Sequence, residues 1–216
     1  MSGEDQNYHI ILLRHGESVG NAEGRHQGQS DFPLTKTGEA QAHALARRWQ
    51  SEAVTFHQII TSPLQRAHQT AEIIAGALHV SLEIGEIWME RDNGHYAGLT
   101  PEEANRLYPR PEFMPPYRFV GETGESQWEL FLRAGRAVQD LLERPAGRYL
   151  VVSHGGILNL VLYAILGIAP QANFQGPRFR FNNSAFATLT YYPERHTWAV
   201  SGINDRVHWP VASPVR

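Results

Sequence analysis

Ile10-Ile11-Leu12-Leu13-Arg14-His15-Gly16-Glu17-Ser18 runs from four unbroken apolar residues into a basic pair and then a glycine. An apolar run without polar alternation suits a strand covered on both faces, so Arg14 and His15 stand at the mouth of a sheet. Val151-Val152-Ser153-His154-Gly155-Gly156 repeats the arrangement far downstream. Two such strand ends, each delivering a histidine, predict that the pair meets in space and handles an anion.

Working outward, Tyr8 to Leu13 is the first predicted strand, and Gly20 to Ser30 is a polar, glycine-rich loop. Thr37 is the expected cap of a helix whose apolar positions Ala42, Leu45, Ala46 and Trp49 fall at helical spacing. Gln58 to Thr61 reads as a short strand stopped by Ser62-Pro63. A helix follows from Gln65 to Leu78, with Ala67, Ala71, Ile74 and Leu78 on one stripe. Val80 to Ile84 reads as a further strand and Trp88 to Gly98 as a polar, aromatic loop. In it, His95 and Tyr96 either cover a pocket or tether the loop.

Thr100-Pro101-Glu102-Glu103 supplies a cap, a first-turn proline and acids for the positive end of a helix. Prolines 109, 111, 115 and 116 make residues 108–124 an irregular excursion and a candidate substrate-facing lid. Order returns with a helix from Ser126 to Glu143, presenting Phe131, Gly135, Val138 and Leu142, its glycine admitting a close neighbour. Tyr149 to Ser153 is a buried strand, the stretch from Ile157 a buried helix, and residues 185–191 and 197–200 a closing pair of strands. Trp49, Trp128 and Phe131 are expected in the core; Arg47, Arg48 and His68 fit a solvated helix face. The alternation predicts an α/β fold, a three-layer α/β/α sandwich around a mostly parallel sheet.

Bulk composition narrows the function classes. The 216 residues suit one well-buried core, so a single domain over 1–216 is expected. A formal net charge of −3 argues against a nucleic-acid partner, so any anion-binding arginines must be concentrated locally. The absence of cysteine excludes disulfides, zinc-thiolate sites and thiol catalysis. With a polar N-terminus lacking a secretion-signal run, it favours a cytoplasmic home. Ile157 to Ile168 is too short to span a bilayer, so no membrane partner is expected. Oligomeric state stays open, a homodimer among the alternatives.

Neutral histidine is a nucleophile that suits phosphorus. A phosphoryl group in transfer needs cations and donors around its oxygens, and arginine supplies a permanent charge on a bidentate fork. The chain offers Arg14, Arg66 and His154 for that task, and Glu90, in a loop between ordered elements, as the acid for a leaving oxygen. No His-Glu-x-x-His cluster or G-x-x-x-x-G-K-[ST] loop is present. Arginine beside the histidine corners opposes a metal and favours an anion, so no metal site is expected.

Five motifs, in order, resemble the histidine phosphatase (phosphoglycerate mutase-like) superfamily, from about Tyr8 to Trp209. They are Arg14-His15-Gly16-Glu17-Ser18 with Asn21 six residues past the histidine; Asp31-x-Pro33-Leu34-Thr35-x-x-Gly38; Ser62-Pro63-Leu64-x-Arg66-Ala67-x-x-Thr70-Ala71; Glu90-x-x-x-Gly94-x-x-x-Gly98-Leu99; and Ser153-His154-Gly155-Gly156. The resemblance implies that His15 becomes a phosphohistidine, that Arg14, Arg66 and His154 grip the phosphoryl oxygens, and that Asn21 adds a donor. It implies that Glu90 protonates the departing alkoxide and later helps water attack, with the Gly155 amide supporting the pocket. Simple hydrolysis in this family needs neither metal nor organic cofactor, and the partner is a small-molecule phosphomonoester.

Two features resemble the cofactor-dependent mutases of that family. Arg91 directly follows the acid, and Gln27-Gly28 falls where mutases place a small hydroxyl residue and a glycine. Gln27, Gly28 and Arg91 are therefore candidate substrate contacts, with His26 a weaker one beside them. Between Thr100 and Gly124 the basic residues are Arg106, Arg110 and Arg118. Phe181-Asn182-Asn183-Ser184, Gly202-Ile203-Asn204-Asp205-x-x-His208-Trp209 and Gly121-Glu122-Thr123-Gly124-Glu125-Ser126 resemble the short broad-specificity phosphatase branch. The balance favours a phosphomonoesterase, then a mutase, then a catalytically inactive scaffold that binds phosphorylated ligands.

Overall fold

The first apolar run folds as an inner strand. In the computed structural model, which describes residues 6–209, six strands form one sheet: β1 (Tyr8–Arg14), β2 (Gln58–Thr61), β3 (Leu82–Ile84), β4 (Gly147–Ser153), β5 (Phe186–Tyr192) and β6 (Thr197–Asp205). Their spatial order is β3-β2-β4-β1-β5-β6. β1 pairs parallel with β4, β4 with β2 and β2 with β3, whereas β5 runs antiparallel to both β1 and β6. The sheet is mixed and mostly parallel, as the alternation predicts.

Successive side chains of a strand point to opposite faces, and the inner strands supply both. Ile10, Leu12, Tyr149 and Val151 pack into one apolar layer with α5 (Gln127–Leu142) and α6 (Gly155–Leu166). Leu13, Leu150 and Val152 pack into the other with α2 (Lys36–Ser51) and α3 (Gln65–Leu78). Each fully buried Leu, Ile or Val side chain contributes about 1.5–3 kcal/mol of transfer free energy. Two covered faces explain why these strands read as continuous apolar runs.

Several sequence expectations shift. A one-turn helix, α1 (Val19–Ala22), capped by Ser18, opens the stretch read as a loop. Thr35, not Thr37, caps α2, because its hydroxyl accepts from the Gly38 amide at 3.1 Å and the helix starts at Lys36. β3 starts at Leu82 rather than Val80. In α5 the buried stripe is Leu130, Ala134, Ala137 and Leu141, one residue before the predicted one, with Phe131, Val138 and Leu142 half-buried beside it. Two alanines on that stripe are buried in the core, whereas a side chain at Gly135 would meet nothing within 4 Å, so that glycine is not what admits a neighbour. Trp49 is 1% exposed and in the core, but Trp128 is 41% exposed on the outer surface of α5. Arg48 is not merely solvated; it pairs with Asp205 at 2.6 Å and ties α2 to β6.

Residues 108–124 contain no regular element, as their prolines require. The excursion follows α4 (Pro101–Leu107), which the Thr100–Glu103 capping box starts as expected. Among the described residues no helix is long and apolar enough to cross a membrane.

Candidate active site

The two histidine corners meet because β1 and β4 are neighbours in register, Arg14 opposite Ser153. The His15 amide donates to the Ser153 carbonyl at 3.0 Å. The rings of His15 and His154 face each other at 5.1 Å between centroids, tilted by 58°. Both side chains are buried, 2% and 0% exposed.

Hydrogen bonds define each ring. His15 Nδ1 lies 2.6 Å from the Gly16 carbonyl, which can only accept, so Nδ1 carries the proton and Nε2 holds the lone pair. His154 Nδ1 accepts from Arg66 Nε at 3.2 Å, which leaves Nε2–H to donate to Ser62 Oγ at 2.8 Å. Burial, followed by the charges of Arg14 and Arg66, holds the pKa of His15 well below its ordinary 6.5. His154 is lowered likewise, by burial first and then by Arg66, His15 and Arg14. Both rings are neutral at neutral pH.

Two guanidiniums complete the cluster. Arg66 is buried, with Nη1 donating to the Ser30 carbonyl at 2.8 Å and Nη2 to the Gly28 carbonyl at 2.7 Å. Burial pulls its pKa down to about 10, so it keeps its charge. Arg14 Nη1 donates to the Phe181 carbonyl at 2.7 Å, while its buried Nε has no protein partner. A buried, unused donor on a cation marks a place for an anion. Gly155, at the start of α6, lies beside that Nε, where a side-chain carbon would approach it to 3.8 Å.

Glu90 is seated on the first turn of α6. Its carboxyl oxygens accept from the Gly156 and Ile157 amides at 2.9 and 3.1 Å, donors that a helix start leaves unpaired, and from the adjacent Arg91 amide at 2.8 Å. A side chain at Gly156 would come within 2.3 Å of Glu90 Oε1, so glycine is what admits the acid. Glu90 acts electrostatically on both Arg14 and Arg66. Its backbone is held by Arg133, whose guanidinium donates to the Ile87, Met89 and Glu90 carbonyls and forms a bidentate pair with Glu125.

The remaining predicted residues divide into two groups. Asn21 Oδ1 accepts from the Ser18 amide and Asn183 Nδ2, so Nδ2 is the group Asn21 has to offer an anion. Gln27 lies behind it, its Oε1 2.7 Å from Ser18 Oγ and its stem against Gly20. Gly28 has φ +52°, a left-handed conformation that glycine adopts freely, and it contributes its carbonyl to Arg66 rather than a surface to a ligand. These two position the cluster.

Arg91, Gly155 and His26, by contrast, line a cavity of about 760 Å³ that opens beside it. The cavity meets the histidine cluster at Gly155, Gly156 and Arg91; neither histidine lies on its wall. The excursion contributes Arg110, Met114 and Val120 to the lining, and the segment 174–180 contributes Phe174, Pro177, Arg178, Phe179 and Arg180. Tyr96 does both tasks proposed for it, lining the cavity and donating to the Tyr108 carbonyl at 3.1 Å. His95 stacks on Tyr108.

Sequence reasoning missed Ser62, Asn183 and Arg133 as positioning residues. Asn183 Nδ2 reaches the His15 and Gly16 carbonyls at 3.3 and 3.2 Å, and the Ser184 amide the Arg14 and His15 carbonyls. The run Asn182-Asn183-Ser184 after a lone Phe181 was the available signal.

The family model of the histidine phosphatase superfamily (branch 1) matches residues 10–206. A probable phosphoglycerate mutase, GpmB, of Yersinia enterocolitica is 38% identical over 199 residues, covering 89% of this chain and 88% of that protein. Among solved structures, Bacillus stearothermophilus YhfR superposes with a TM-score of 0.79 at 28% identity, covering 93% of this chain and 98% of that one. Phosphoserine phosphatase of Entamoeba histolytica in complex with 3-phosphoglyceric acid gives a TM-score of 0.74 at 26% identity, with 93% and 98% covered.

Proposed function

Since the chain belongs to the histidine phosphatase superfamily (branch 1), we propose that it hydrolyses phosphomonoesters through a phosphohistidine at His15. One observation carries this reading: the imidazole of His15 is neutral, oriented by the Gly16 carbonyl, and set among Arg14, Arg66 and His154 with its Nε2 lone pair available. Nε2 attacks phosphorus, the ester P–O bond breaks, and Glu90 gives its proton to the departing alkoxide. Water then attacks the phosphohistidine as Glu90 takes a proton from it. The P–Nε2 bond breaks, and inorganic phosphate leaves with the neutral imidazole restored.

The guanidiniums of Arg14 and Arg66 hold the equatorial oxygens throughout, supplying the positive charge that other phosphatases draw from metal ions. Asn21 Nδ2 and the Gly155 amide add neutral donors. Incubation with a radiolabelled aryl phosphate, an acid-quench search for phosphohistidine and a phosphate-release assay test the reading together. Phosphate release with label at residue 15 is the expected result; a chain that binds phosphoester but neither releases phosphate nor takes label is a scaffold. For Glu90→Gln we expect a larger loss with alkyl than with aryl phosphates, whose leaving groups need less protonation. Equal losses would remove Glu90 from the acid role.

The 38% identical relative named a probable phosphoglycerate mutase supports a second reading, phosphoryl transfer back to substrate. Arg91, directly after the acid and on the cavity wall, is the residue in its favour. Isomerisation of phosphoglycerate that depends on a bisphosphate primer would establish it.

A further inference from the structure

On the phosphomonoesterase reading, we infer that the alcohol half of the preferred substrate has an apolar body ending in a second anionic group, which the exposed arginines of the cavity receive. The cavity, about 760 Å³, lies within the range of clefts that enclose drug-sized ligands, roughly 300–1,000 Å³. Its walls include Met114, Val120, Leu160 and Phe174, surfaces suited to hydrocarbon or an aromatic ring. The titratable cations on its lining are Arg91, Arg110, Arg178 and Arg180, and the lining includes no aspartate or glutamate. A chain of net charge −3 has thus gathered its cations on one cleft wall, with Glu90 and Glu125 acting on Arg91 from behind it.

The way these arginines are held points the same way. Arg91 lies over the Phe174 ring at 5.2 Å and Arg110 over the Tyr96 ring at 5.6 Å. An aromatic face fixes a guanidinium without cancelling its charge. Arg91 Nε is buried without a protein partner, and no described carboxylate forms an ion pair with Arg110, Arg178 or Arg180. Arg110, Arg178 and Arg180 are exposed, whereas Arg91 is half-buried beside Glu90. A carboxylate next to the phosphoester would meet Arg91; one carried across the apolar wall meets the other three.

Three probes decide it: the phosphate monoester of 3-(4-hydroxyphenyl)propanoate, its methyl ester, and 3-phosphoglycerate. The first two differ only at the distal carboxyl, charged in one and capped by a methyl in the other. We expect kcat/KM at low salt to favour the acid over its methyl ester by about tenfold, the size of one charge-assisted contact. It should also exceed that of 3-phosphoglycerate, whose carboxylate stands one carbon from the phosphate-bearing carbon with no apolar body between them. In Arg110→Gln/Arg178→Gln/Arg180→Gln the acid-to-ester ratio should collapse toward one, while Arg136→Gln on the outer surface of α5 keeps it. A wild-type ratio of one, a ratio that survives the triple substitution, or a preference for 3-phosphoglycerate overturns the inference. If none of the probes is turned over and no label reaches His15, the phosphatase reading has failed separately. Calorimetry with non-hydrolysable phosphonates of the same acid and ester then decides the cleft: tighter binding of the acid upholds it, equal binding ends it.

Discussion

His15 and His154 finish adjacent parallel strands, are each followed by glycine and are both buried, yet their rings are bound in opposite ways. His154 is held at both nitrogens, by Arg66 and by Ser62. His15 is held at one, and by a carbonyl that compels the proton onto Nδ1. A ring gripped at both ends is an oriented dipole; a ring gripped at one end keeps a lone pair for attack. Burial and sequence context do not separate the two corners. The donor and acceptor inventory around each ring does.

On the proposed chemistry the largest effect belongs to His15→Ala, which should lower turnover by about 10⁴-fold or more and abolish the phosphohistidine. Acid-quenched labelling with peptide mapping checks it, and label found on residue 154 would exchange the two assignments. His154→Ala should cost about 10²–10³-fold, the size of one lost electrostatic contact, because it removes the ring on which Arg66 Nε is aimed. Label on His15 should still form, slowly; a variant that labels at the wild-type rate would reduce His154 to packing.

Acid sharpens the comparison next. Both folded pKa values lie well below 6.5, so the unfolded chain takes up protons that the native one refuses as pH falls through that value. Stability present above pH 6.5 should therefore decline below it, by up to about 1.4 kcal/mol per pH unit for each ring. Urea unfolding at stepped pH measures this, and His154→Ala should remove its share of the slope. A flat profile below 6.5 would mean that the rings are not held neutral. The smallest effect is expected of Ser62→Ala, which frees His154 Nε2 at a cost of about 1 kcal/mol, or roughly fivefold in kcat. The identical assay on His15→Ala/Ser62→Ala should show no further loss.

The fold was legible because the inner strands are buried on both faces and declare it through Ile10–Leu13 and Tyr149–Val152. Helix details were less so. Thr35 and Thr37 are equivalent as residue types, and only the turn that brings Thr35 Oγ1 to the Gly38 amide chooses between them. The stripe on α5 was displaced by one because alanines 134 and 137, weak by hydrophobicity, are the ones that are buried. At the site, the residues that bear charge into the cluster were visible in their motifs. Arg133 was not: it looks like any helical arginine, and its work is done on the carbonyls of a segment far away in the chain. The exposed arginines of the cleft were scattered over two irregular segments, so the cleft they share existed only after folding.

The gap between the two imidazoles is fixed by a constant of the backbone. Neighbouring strands lie about 4.8 Å apart in any sheet, and the 5.1 Å ring separation follows from pairing Arg14 with Ser153. Insertions or deletions in the connecting loops leave that spacing untouched, because no loop sets it. On the proposed chemistry, lineages of such proteins are therefore free to rewrite the excursion at 108–124 and the segment at 174–180, and with them the choice of alcohol, without retuning the reactive pair.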